Sequence, residues 1–422
     1  LLGRGPAASA ALWRFKQILR TTSVRAGMFA ALAAATAGAA YFLKAYIPEG
    51  YDDLIGASAV GSLLTVLASS LLSVTTFTLG AMVSSYNSAA GATPRATPLI
   101  IGDPTSQNVL SVFVGAFVFS IVGLVLLRTG VYGGSGRVVL FAATILVLGI
   151  VVAALLRWIH RVSHLGLLSD SIDLVEETAL AALKTRIAHP NLGAMPSVAE
   201  IGVAADIYPD EVGYVRHVDM AELQEVAEAH DCVVHLRVAP GTFVAPPIAL
   251  AAVVGAASEK ARLKLAKAFE IGVRRDFEDD ARFGFLVLSE IASKALSPAI
   301  NDPGTALDVL VRASRLLETW ARRHRDGEPP AYDRIHAPEM ATDDLFDDAF
   351  DAIERDGAGL VEVALRVQSA LAILALSRDP ETAAAARRHS QRALARARAA
   401  LSHADDFARV SAAAIAHDGE SA

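Results

Sequence analysis

The stretch "GASAVGSLLTVLASSLLSVTTFTLGAMV", residues 56–83, decides the fold class. It contains no Asp, Glu, Lys or Arg and is longer than the roughly 20 residues a helix needs to cross a bilayer core. Within and just beyond it, Ser62, Thr65, Ser69, Ser73, Thr76, Gly80 and Ser84 recur every three or four positions. At helical periodicity they form one continuous small-polar stripe. Such a face lets membrane helices approach closely; repeated around an oligomer axis it would line a narrow aqueous path. With no charged residue in the span, a proton relay or ion-coupled carrier site has no candidate there.

Three further apolar blocks flank it: "VRAGMFAALAAATAGAAYFLKAYI" (24–47), "VLSVFVGAFVFSIVGLVLL" (109–127) and "VVLFAATILVLGIVVAALLRWI" (138–159). The pattern predicts four spans, the first too long and too closely followed by others for a cleaved signal peptide. Arg4, Arg14, Lys16, Arg20 and Arg25 precede or open the first span, whereas the first loop, "PEGYDDLIG", carries only acids. The amino end is therefore expected in the cytoplasm, and Arg157 and Arg161 after the fourth span return the chain to the same side. Both termini and everything from about His164 onward are expected to be cytoplasmic.

Composition narrows the function classes. A hydrophobic fraction of 53% suits a membrane protein, and a formal net charge of −7 gives nucleic-acid binding no electrostatic support. The single cysteine, Cys232, excludes an intrachain disulfide and any CxxC site. No GxSxG, GxxxxGK[ST] or HExxH motif occurs, and the histidines are scattered. No cofactor or metal is expected, and an enzyme acting through the acidic segment 273–280 ranks behind the other function classes.

The predicted fold class is mainly α: a polytopic membrane protein with four transmembrane helices and an α+β cytoplasmic domain made of a small β subdomain and a helical bundle. Its expected divisions are a basic leader (1–23), the membrane domain (24–160), a connecting helix (161–195), a compact barrel-like β subdomain with one helix (196–258), a helical subdomain (259–325), and an acidic loop with C-terminal helices (326–422). Helices are expected over 343–355, 359–377 and 380–414, the last amphipathic and suited to either an oligomer contact or a solvated face.

Two polar features stand out. The loop "SSYNSAAGATPRATPLIIGDPTSQN" (84–108) has Arg95 and Asp103 as its only charges and is read either as a contact to the cytoplasmic domain or as an ordinary turn. In the soluble half, "VRRDFEDD" (273–280) leads into a helix that ends at "SKALSPAINDPGTALDVL" (293–310). Two prolines in that elbow are costly inside a helix, at about 3 kcal/mol each. Asp302 is a favourable N-cap, with Pro303 at the first helical position. Arg275, Asp280, Ser297, Asn301, Asp302 and Thr305 form the candidate polar site, either caps and turns or a surface for an ion, small ligand or partner. Its carboxylates do not match a calcium loop, and zinc-type spacing is absent.

The runs "RRDFEDDARFGF", "KALSPAINDPGTA" and "PRATPLIIGDPTSQNVLSVFVGAFVFS" resemble the bacterial membrane proteins of domain of unknown function family 2254, from the first span to about Trp320. Arg275 and Asp280 match that family's pattern, whereas Asp276 and Asp279 stand where Thr and Gln are common. The resemblance implies a bacterial inner-membrane protein with a cytoplasmic domain and supplies no activity. Together these readings favour a homo-oligomeric, channel-like or transport-related protein in the lipid bilayer, with a cytoplasmic gate or vestibule. The alternative is a membrane-anchored sensor or scaffold without transport.

Overall fold

The computed structural model describes residues 57–129, 133–162, 167–199, 201–323 and 329–415, with scattered helical positions between 24 and 39. The first expected span, 24–47, lies largely outside the described residues. Among the described residues, three stretches are long and apolar enough to cross a membrane: Ser58–Asn87, Thr97–Arg128 and Gly136–Val162. The described residues divide into a membrane unit that ends at Ser171 and an α/β unit that starts at Ile172.

The membrane unit is built from α1 (Ala57–Ala92), α2 (Thr97–Ile101), α3 (Pro104–Arg128) and α4 (Gly133–Val162). Residues 84–92 of the expected inter-span loop continue α1, and α2 takes up part of the remainder. Helix α3 starts where Asp103 accepts from Ser106 N, with Pro104 at its first position. Helix α3 runs antiparallel to α1 and α4, and Gly123 marks their close approach. A methyl there would meet Leu64 at 3.3 Å and Leu140 at 3.4 Å. Val60, Leu64, Phe119 and Leu140 pack at this level, and Leu67, Leu71, Met82, Val109, Leu110, Phe113 and Trp158 pack toward the other end.

The α/β unit opens with α5 (Leu168–Ala188), followed by β1 (Ala194–Pro196), β2 (Ala204–Ile207), β3 (Gly213–Val218), α6 (Met220–Ala229), β4 (Cys232–Leu236), β5 (Phe243–Val244) and β6 (Ala251–Gly255). Then come α7 (Glu259–Lys267), β7 (Phe269–Gly272), α8 (Phe283–Ala295), α9 (Pro303–Ala321), β8 (Tyr332–Ala337), α10 (Thr342–Asp356), α11 (Val361–Ala375), α12 (Pro380–Ala400) and α13 (Ala404–Ala413).

Its strands make two sheets instead of the expected barrel-like fold: β1-β8-β4-β6-β2 and β5-β3-β7. Two of them come from beyond residue 258. The segment "FEIG" reads locally as helix, yet it pairs antiparallel with β3, Val218 opposite Phe269. The segment "YDRIHA", inside the expected acidic loop, enters parallel to β4 with His336 opposite His235. Long-range pairing overrides local pattern in both. Both sheets contribute to one core, which gathers Val215, Leu223, Val234, Leu250, Leu265 and Ile335.

In the helical part, α9 buries Val309, Leu310, Ala313, Leu316, Leu317 and Trp320, one face at helical spacing. The single helix expected over 380–414 is two helices. Leu401 turns the chain with extended backbone, and Val410 packs back beside Ala364 and Ala397.

Candidate functional site

Every residue of the α1 stripe, Ser62, Thr65, Ser69, Ser73, Thr76, Gly80 and Ser84, is exposed in the chain. At about 100° per residue the stripe points roughly opposite the row Val60, Leu64, Leu67, Leu71 and Met82 that α1 buries. Apolar Leu72, Phe77 and Val83, all exposed, flank it. The hydroxyls are satisfied by their own helix: Ser62 donates to Ser58 O at 2.8 Å, Thr65 to Gly61 O at 2.8 Å, Ser69 to Thr65 O at 3.0 Å and Thr76 to Leu72 O at 2.9 Å.

Of the two loop charges, Arg95 sits at the exposed tip between α1 and α2. Asp103 has a role within the membrane unit. Its carboxylate caps α3 through Ser106 N at 2.9 Å and Ser106 Oγ at 2.5 Å, and accepts from Arg161 Nε at 3.3 Å. Arg161 also reaches Asp170 at 2.9 Å, so one guanidinium joins the start of α3, the end of α4 and Asp170, all within the membrane unit.

The segment 274–282 is an ion-pair knot between the β-rich and helical parts of the α/β unit. Asp280, with a side chain only 2% exposed, is gripped by Arg275 through Nε at 2.6 Å and a second nitrogen at 3.0 Å. The same carboxylate accepts from the backbone of Arg282 and Phe283, each at 3.2 Å. Asp276 and Asp279 both reach β3: Asp276 pairs with Arg216 at 2.6 Å and Asp279 with His217 at 2.6 Å. Buried Arg186 of α5 donates to Asp279 O at 3.4 Å. Burial holds its guanidinium below the usual arginine range, against the pull of Asp280 and Asp279.

Arg282 extends the knot to Asp348 and Asp344 of α10. Both partners of the Arg282–Asp348 pair are raised, which favours the charged form of the arginine and disfavours that of the aspartate. Arg282 is raised, although burial works against it, because Asp348 and Asp344 hold its charge; Asp348 is also raised, because burial outweighs Arg282. The 2.7 Å contact decides for an ion pair whose carboxylate keeps a desolvation cost.

The elbow residues are not part of this knot. Arg275 and Asp280 lie before α8, whereas Ser297, Asn301, Asp302 and Thr305 lie after it, about 20 Å away along a 13-residue helix at 1.5 Å per residue. Ser297 Oγ closes the last turn by donating to Lys294 O at 2.6 Å. Asn301 is exposed with φ 52° and donates its N–H to Ser297 O at 2.8 Å. This left-handed position, which Asn tolerates better than most residues, reverses the chain. Asp302 then caps α9, accepting from Thr305 N at 3.2 Å and Thr305 Oγ1 at 2.6 Å. Hydrogen bonds from Thr305 hold the Asp302 carboxyl below the ordinary range.

That cap is one of three built alike. Asp103-Pro104 with Ser106, Asp302-Pro303 with Thr305, and Asp379-Pro380 with Thr382 each place a hydroxyl and its N–H on the aspartate. The shared spacing Asp-Pro-x-Ser/Thr is visible in the sequence and identifies helix starts.

A further polar cluster has no counterpart in the sequence reading. On α10, Asp343, Asp347, Asp351 and Glu354 face Arg388, His389, Arg392 and Arg396 of α12. Glu354 has no exposed side-chain surface and accepts from His389 Nδ1 at 2.9 Å, Arg392 at 3.2 Å and Arg396 at 2.9 Å. Acids and arginines at three- and four-residue spacing on two helices were the available signal. Among the described residues, Asp347, Asp351 and His389 also approach metal-ligand geometry. The Arg392 guanidinium pairs with both aspartates and lies against both His389 nitrogens, so the cation there is the protein's own.

The family described as "Predicted membrane protein (DUF2254)" matches residues 20–373. Similar curated proteins include the uncharacterized protein Rv1290c of Mycobacterium tuberculosis and the uncharacterized protein Mb1321c of Mycobacterium bovis, each 28% identical over 244 residues, 54% of this chain and 47% of theirs. The chain thus spans about half the length of the curated relatives it matches. No solved structure matches it.

Proposed function

This chain belongs to the DUF2254 family of predicted membrane proteins, and on that footing we propose that it is a homo-oligomeric, channel-like protein of the inner membrane. Its α/β unit is the cytoplasmic vestibule or gate, and no catalytic step enters this reading. The observation that carries it is the α1 stripe, wholly exposed and turned away from the face that α1 packs against its own chain. Small hydroxyl residues allow close helix approach, so copies of α1 are able to surround an axis that their hydroxyls line. Proteoliposome ion flux combined with an oligomer count tests it. Ser69→Leu and Ser73→Leu should reduce flux or assembly, whereas Leu72→Ile, beside the stripe, should leave both unchanged. Wild-type protein that is monomeric and passes no ions under a voltage gradient removes the reading.

A second reading, a membrane-anchored sensor or scaffold, is favoured by a different observation. The stripe hydroxyls bond to carbonyls of their own helix and therefore tolerate lipid without water or a partner helix. A monomer without flux that retains a folded α/β unit is its expected signature.

A further inference from the structure

The membrane unit has a second polar row, on the opposite side of α1 from the stripe. Thr78 is 0% exposed and Ser85 4%, both directed into the packed helices. Buried hydroxyls elsewhere in this unit, Ser111, Ser120 and Thr144, donate to the carbonyl four residues earlier at 2.7–2.8 Å. Thr78 and Ser85 do not: their oxygens have no hydrogen-bond partner among the described residues. Four more polar atoms among the described residues of this unit share this condition, among them Oγ1 of Thr75 and of Thr97. Gln107, 2% exposed, commits its amide nitrogen to Ile101 O at 2.8 Å and leaves Oε1 unpartnered. Trp158, also 2% exposed, leaves Nε1 unpartnered.

These atoms occupy one end of the unit. The Asp103–Arg161 pair brings the start of α3 beside the end of α4, with Gln107 one turn after Asp103 and Trp158 one turn before Arg161. Met82, which lies between Thr78 and Ser85, packs in one cluster with Val109, Leu110 and Trp158. From Ser85 to Thr78 the row runs about 10 Å at 1.5 Å per residue. Each unpartnered polar atom in an apolar interior costs on the order of a hydrogen bond or more, and several along one end of the unit point to a common occupant.

We infer that this end of the membrane unit holds a file of bound water, entering beside the Asp103–Arg161 pair and reaching inward past Ser85, Gln107 and Trp158 to Thr78. The chemistry selects water over an ion: hydroxyls, one amide oxygen and one indole N–H offer both donors and acceptors, and the nearby carboxylate of Asp103 is already paired with Arg161. The file lies within a single chain, so it is independent of whether the stripe faces an oligomer axis.

Substituted cysteines read it directly, since maleimide reacts with the thiolate and a thiol ionises only where water reaches it. In the full chain carrying Cys232→Ala and reconstituted in vesicles, Thr78→Cys and Ser85→Cys should label about tenfold or more faster than Leu64→Cys and Leu72→Cys. Leu64 is buried in the apolar cluster at the other end, and Leu72 is 57% exposed on the outer face of α1. Rates at Thr78→Cys and Ser85→Cys no faster than at Leu64→Cys overturn the inference. Should the cysteine variants fail to fold, the indole proton of Trp158, assigned by its loss in Trp158→Phe, is followed by deuterium exchange in otherwise unaltered protein. Exchange faster than that of Trp320, whose indole donates to Thr342 Oγ1 at 3.0 Å, is expected. Equal protection of the two overturns the inference.

Discussion

Gly241→Ala is the sharpest test of the knot that joins the two parts of the α/β unit. Gly241 has φ +94°, and a methyl built on it would lie 2.6 Å from Asp280 Cγ and 2.8 Å from its Oδ1. Alanine in a left-handed conformation costs about 1–2 kcal/mol. The larger effect comes from the neighbour. The Asp280 carboxylate cannot yield without loosening its two bonds from Arg275 and its two backbone donors. Breaking a buried ion pair costs about 3–5 kcal/mol, so the sum is about 4–7 kcal/mol.

For a unit of this size, at about 2–4 °C per kcal/mol, scanning calorimetry should show the melting transition at least about 8 °C lower. The double variant isolates the cause. With Asp280→Ala in place the methyl has nothing to strike, and adding Gly241→Ala should cost only the backbone strain of about 1–2 kcal/mol. Gly241→Ala melting with the wild type, or the two changes adding in full, would refute the argument that the carboxylate is seated on this glycine.

Three further outcomes are expected. Asp302→Ala should remove a helix cap and destabilise by about 0.5–2 kcal/mol, whereas Asn301→Gly should be nearly neutral in a thermal melt, because glycine accepts the same left-handed backbone. Glu354→Ala should cost about 3–5 kcal/mol by leaving Arg392 and Arg396 without their buried partner, while Asp343→Ala at the exposed end of the same ladder should stay within about 1 kcal/mol; urea unfolding of the two variants compares them. Burial, aided by the stacked His336 ring, holds His235 below the ordinary histidine range. The unfolded chain therefore binds the proton more readily, and the stability tied to His235 is complete above about pH 6.5 and is lost as pH falls. His235→Gln should flatten the loss of melting temperature between about pH 7 and 5; an unchanged acid limb would remove that assignment.

What could be read from the sequence alone is what short-range physics decides. Length and apolarity mark 56–83, 109–127 and 138–159 as spans because bilayer thickness sets the scale. Asp302 reads as a cap because a carboxylate before a proline satisfies the free N–H groups of the next turn within three residues. The helices α10 and α11 follow from their apolar periodicity to within two residues of the expected limits. The tertiary structure decided everything that depends on partners far along the chain. It alone shows that the α1 stripe faces away from its own chain, that Thr78 and Ser85 lie inside, and that Asp276 and Asp279 meet Arg216 and His217 some 60 residues away. It separates Asp280 from Asn301, which a reading by sequence proximity had grouped, by placing a rigid helix between them. The strands "FEIG" and "YDRIHA" became strands only because β3 and β4 offered open edges. Periodicity and capping act over a turn or two, whereas strand pairing and buried charge are settled by whichever distant group the fold brings within reach.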